Sequence, residues 1–114
     1  MRRTTEFPEA IEIGNAHEAI LQANGLANCS SVGRDHLPGS AFPHDAVGGQ
    51  TWAFDSIYMP VETEFLDDCR SKDLDTLSGF DFFRHMVLDS FEVFTGVVPD
   101  RNQMMPRLEA LQPA

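Results

Sequence analysis

The stretch from Ser78 to Gly96, SGFDFFRHMVLDSFEVFTG, constrains the fold more than any other part of the chain. Phe80, Phe83, Val87, Phe91 and Phe94 recur every three or four residues, while Asp81, Arg84, His85, Asp89 and Glu92 occupy the other side. That period brings side chains onto one face of an α-helix. Ser78 is placed to cap the helix and Gly96 to end it. Each large apolar side chain buried there is worth very roughly 1.5–3 kcal/mol before entropy, so this helix is expected to organise the core. A chain of 114 residues, 42% of them hydrophobic, has the size of one domain. A single acidic globular domain over residues 1–114 is expected.

Shorter signals surround that helix. Asn15 stands three residues before Glu18, the spacing of a capping box, and Ala16, Ala19, Ile20 and Ala23 follow at helical spacing. A helix of about ten residues ending near Gly25 is predicted, preceded by a brief strand at residues 10–13. Between Cys29 and Gly49 lie Gly33, Pro38, Gly39, Pro43, Gly48 and Gly49. Prolines remove backbone donors and glycines add unfolded-state entropy, so residues 27–50 are predicted to be a long internal loop. A strand is predicted from Thr51 to Met59, and Pro60 then opens a helix that carries Val61, Phe65 and Cys69 on its apolar side. Residues 100–114 read as a C-terminal tail or short helix. The fold class expected is α+β: three to four helices packed on a short β-sheet or hairpin, with a long Gly/Pro-rich loop.

Charge is the feature that points towards function. Eighteen acidic residues against eight basic ones leave a net charge of −10, and from Thr4 to Cys69 the only cation is Arg34. Such a field repels nucleic acid and anionic lipid and steers basic protein surfaces towards the chain. No run approaches the ~18 apolar residues of a membrane helix, and the opening MRRTTEFPEA has no apolar stretch of the kind a signal peptide needs. Cytoplasmic location and reduced thiols at Cys29 and Cys69 are therefore expected.

Catalytic and metal chemistry find less in the residues. Cys29, His36 and His44 with Asp35, Asp45 or Cys69 match no zinc spacing. Cys29 follows a helix end, so no helix N-terminus stabilises its thiolate. The glycines of this region come without a phosphate-loop lysine, since the only lysine is Lys72. No cofactor and no metal are expected. The reading is a non-enzymatic, acidic inhibitor that occupies the basic nucleic-acid-binding site of a partner protein, a charge mimic of the anti-CRISPR, anti-restriction or nuclease-immunity type. Its contact surface is expected at Glu62, Glu64, Asp67, Asp68, Asp73 and Asp75, with Asp35, His36, His44 and Asp45 from the loop. The alternatives are a structural subunit or homodimer docking through the Met-rich tail, and a small Cys/His-dependent enzyme or metal protein using residues 29–49.

Overall fold

The computed structural model describes residues 9–113. The signal-peptide reading rests largely on residues 1–8, which lie outside the described residues. After one turn of 3-10 helix, Ile13–Asn15, come α1 (Ala16–Gln22), β1 (Gly25–Asn28) and β2 (Trp52–Asp55). These are followed by α2 (Glu64–Ser71), β3 (Asp75–Leu77), α3 (Gly79–Thr95) and α4 (Arg101–Glu109). The three strands make one parallel sheet in the order β1-β2-β3, with Trp52 in register with Gly25 on one side and Asp75 on the other.

This sheet corrects the expected fold class. Parallel strands cannot be joined by a hairpin and need a crossover of a dozen or more residues. Between β2 and β3 the crossover is the segment containing α2, and between β1 and β2 it is the irregular stretch from Cys29 to Thr51. The architecture is thus α/β with a parallel sheet, in place of α+β with a short sheet or hairpin. The strands responsible are short and poorly marked: GLAN has no β-branched or aromatic residue, and DTL is three residues long.

Local expectations fare unevenly for identifiable reasons. No strand forms at residues 10–13, and Asn15 precedes α1 without a side-chain cap bond. Gly25 opens β1 instead of closing a helix, since α1 has already ended at Ala23, and a glycine is needed there because the Trp52 ring lies where a Cβ would be, 1.9 Å from the nearest ring carbon. Strand β2 stops at Asp55, short of Met59. Helix α2 begins after Thr63, whose hydroxyl accepts from the Leu66 amide, so Pro60 lies outside it. Helix α3 has the predicted ends: the Ser78 hydroxyl accepts from the Asp81 amide, and Gly96 takes the left-handed conformation at φ 72°.

The core lies on one face of the sheet, where Leu26 and Ala53 meet Ile20 of α1, Phe65, Leu66 and Cys69 of α2, and Leu74. The long crossover adds to it. Ala46 and Val47 are buried there, and Phe42 stacks on Phe65 with ring centroids 4.6 Å apart. Buried Gln50 ties the crossover down by donating to the carbonyls of Ile20 at 2.7 Å and Ala46 at 3.0 Å. The Phe helix does not organise this core: Phe80 and Leu88 are buried, but Phe91 and Phe94 are exposed. Among the described residues, no helix is long and apolar enough to cross a membrane.

Candidate functional site

Parallel α/β sheets bind ligands beyond the carboxyl ends of their strands, where the connecting loops diverge. In this protein those ends are Asn28, Asp55 and Leu77. Asp55 is fully buried and spends its carboxylate on three donors. Its Oδ1 accepts from Asn28 Nδ2 at 3.2 Å and the Ile57 amide at 3.0 Å, and its Oδ2 accepts from the Thr63 hydroxyl at 2.7 Å. A buried polar group is tolerated only when its oxygens find hydrogen-bond partners in this way. Asn28 extends the network, donating to the Val32 carbonyl at 2.9 Å and accepting from Ser30 Oγ at 2.6 Å. Three segments that leave the sheet are thereby fixed to one another: the start of the crossover, the turn after β2, and the first turn of α2.

On this frame the turn after β2 crosses the first residue of α3. A Cβ at Gly79 would stand 2.3 Å from the Ile57 carbonyl oxygen, so only glycine allows the approach. The segment Ile57–Tyr58–Met59 faces Arg34, Asp35 and His36 across a cavity of about 250 Å³. The turn that presents these three starts at Gly33, whose φ of 114° suits glycine. It is closed by hydrogen bonds from the Leu37 amide to the Arg34 carbonyl and from the Gly33 amide to the Leu37 carbonyl. Tyr58 stacks on Phe83 of α3, centroids 5.6 Å apart, which leaves the ring aligned and partly exposed at the cavity. The lining combines a cation, a carboxylate, an imidazole and a phenol with the apolar Ile57 and Met59.

The residues singled out from the sequence fall in separate places. Asp35 and His36 line the cavity. His44 and Asp45 lie elsewhere on the crossover, where His44 Nδ1 is 2.9 Å from Asp68 and Asp45 is 3.1 Å from His17. Glu62 pairs with Arg70, Asp67 lies 3.5 Å from the same guanidinium, and Asp68 also pairs with Lys72 at 3.1 Å. Glu64 occupies the first turn of α2. Asp73 takes a positive φ in the turn before β3, and Asp75 begins that strand. The acidic residues of α2 are largely engaged within the molecule and do not form a bare anionic face.

Cysteine chemistry is equally dispersed. Cys29 is exposed and Cys69 buried, both free. Burial, aided by the charge of Asp68, pushes the Cys69 thiol from 9.0 up to about 11. Among the described residues, no group of three or more histidine, cysteine or acidic side chains could hold a metal ion. The residues that build the site and were not named as site residues from the sequence are Asn28, Asp55, Thr63, Arg34 and Tyr58. Their one shared signal is position, at the carboxyl end of a strand or in the segment that follows it.

Sheet and cavity together define a class, the Rossmann-type α/β proteins that bind ligands at the carboxyl edge of a parallel sheet. Known proteins narrow it further. No family model matches the chain. It is 35% identical over 99 residues to a quinate/shikimate dehydrogenase (NAD(+)) of Corynebacterium efficiens, covering 87% of this chain and 35% of that protein. The solved quinate dehydrogenase of Corynebacterium glutamicum in complex with NAD matches with a TM-score of 0.73 at 34% identity, over 80% of this chain and 32% of that one. The shikimate 5-dehydrogenase of Thermus thermophilus, solved with NADP(H) and shikimate, gives the same TM-score of 0.73 at 26% identity, over 82% of this chain and 36% of that one. The chain spans about a third of the length of the curated relatives it matches.

These likenesses overturn the acidic inhibitor and, with it, the expectation of a protein without enzymatic character. The relatives are dehydrogenases that take NAD or NADP, and nothing in them resembles an anti-CRISPR, anti-restriction or immunity-type mimic. The physical reason for the error is plain. Net charge reports on solubility and on the encounter with partners, and it leaves the fold undetermined.

Proposed function

We propose that the chain supplies the dinucleotide-facing edge of an NAD- or NADP-dependent dehydrogenase acting on quinate or shikimate. The observation that carries this reading is the cavity at the carboxyl edge of a parallel sheet, in a chain whose fold matches dehydrogenases solved with these dinucleotides. When bound, the nicotinamide supplies the hydride chemistry. The chain's own residues would hold and orient it: Ile57 and Met59 offer an apolar wall for a ring, and Arg34, His36 and Tyr58 offer hydrogen-bond donors to a ribose or an anionic group.

The fit covers one end of the dinucleotide. Among the described residues, no strand runs through a GxGxxG turn into a helix, the arrangement that cradles a pyrophosphate. A cytoplasmic location agrees with the same reading, since Cys29 and Cys69 are free thiols of the kind a reducing compartment maintains.

Calorimetric titration of the chain with NAD, NADP and nicotinamide mononucleotide tests the reading. Binding is expected, and Arg34→Ala with Tyr58→Ala should abolish it in a chain that still melts cooperatively. A folded chain that binds none of the three, or a double variant that binds as the parent does, would overturn the assignment of this edge. Formation of NADH with quinate or shikimate present would then identify the substrate.

A further inference from the structure

Helix α3 is apolar on two faces. At about 100° per residue, Phe82, Met86 and Val93 fall within about 40° of one another, while Phe80, Phe83, Val87, Phe91 and Phe94 fill a neighbouring sector. Together these sectors span about half the circumference, a wider stripe than one packed neighbour covers. Here its first turns meet the body of the molecule, where Phe82 tilts against Phe54 at 5.3 Å, and α4 flanks part of the second sector. That flank is incomplete, leaving an apolar groove of about 310 Å³ between the two helices. The rest lies open: Val93 is 80% and Phe94 87% exposed.

Among the described residues, the second face of the sheet is covered by α3 only where Phe82 meets Phe54, and Trp52 and Leu77 stay exposed, although parallel sheets are almost always covered on both faces. The radius of gyration is 16.4 Å, against about 13 Å for a compact domain of about 100 residues. An apolar surface of this kind on a protein of this size marks an interface.

We propose that the exposed side of α3, with Trp52 and Leu77 of the adjoining sheet face, docks a polypeptide equivalent to the two-thirds of a quinate or shikimate dehydrogenase that this chain does not match. Length argues for this occupant. The NAD-bound quinate dehydrogenase matches 80% of this chain with only 32% of its own, so the matched part of that protein adjoins a body about twice its size. The proposal rests on the likeness to these dehydrogenases and not on catalysis by the chain.

The test is a chimera in which this chain replaces the matched third of the Corynebacterium glutamicum quinate dehydrogenase, compared with this chain alone. Val93→Gln with Phe94→Gln is introduced into both, and melting and light scattering are recorded. The expected result is a monomeric chain whose melting temperature the substitutions leave unchanged, and a chimera that melts in one transition lowered by several degrees by the same substitutions. Equal effects in both proteins would overturn the proposal. So would two independent transitions in the chimera, or a chimera that fails to fold while the parent dehydrogenase folds. A dimer of the chain alone that the substitutions dissociate would assign the surface to a second copy instead. Normal docking without quinate oxidation would count against the proposed function and leave the interface standing.

Discussion

The sheet with α1 and α2 and the arm formed by α3 and α4 differ in where their apolar side chains go. In the first, Phe65, Leu66 and Cys69 are at most 1% exposed and the crossover brings Ala46 and Val47 to meet them. In the second, the longest helix of the described chain keeps Phe80 and Leu88 inside and leaves Phe91, Val93 and Phe94 in solvent. Composition does not separate the two regions. What separates them is whether a second layer is present, because an apolar stripe stabilises a fold only by the area it removes from water. Periodicity reports the stripe and is silent about its cover.

The contrast can be broken most forcefully at Leu66. Leu66→Ala should cost about 2–5 kcal/mol of stability in urea denaturation, and a loss of about 1 kcal/mol or less would show that the sheet half is loosely packed after all. Cys69 provides a second test through pH. The folded protein keeps its thiol proton to about pH 11, against an ordinary 9.0, whereas the unfolded chain releases it from about pH 9. Stability is therefore untouched below pH 9 and falls as pH rises from 9.0 through about 11, by about 1.4 kcal/mol per pH unit. Denaturation curves of Cys69→Ala should be flatter across that window. Phe94→Ser should have the smallest effect, within about 0.5 kcal/mol, and a larger loss would mean that α4 or a second copy covers the ring in solution.

Elements set by local chemistry were legible in the sequence. Ser78, Gly96 and the spacing of the phenylalanines define α3 without reference to the rest of the chain, and Phe65 with Cys69 marks the buried side of α2. Strands β1 and β3 were not, since GLAN and DTL become strands only through pairing with β2, which lies 27 residues along from β1 and is separated from β3 by a helix. The site was half legible. Asp35 and His36 drew notice as polar residues in a glycine-rich loop, and they do line the cavity. Asp55 carries no signal in the sequence that sets it apart from the other acids among the eighteen. Its burial follows from Asn28 and Thr63 arriving on either side, which requires the parallel register.

Trp52, the chain's only tryptophan, lies over Gly25 at the point where β1 and β2 pair, with its ring partly in solvent. The protein therefore carries a native optical reporter. Its emission should move to the red if β1 detaches, even while the helices remain intact, and to the blue if a docking body closes over the open face. Strand detachment and interface closure would then be told apart by the sign of one spectral shift, in the unlabelled protein.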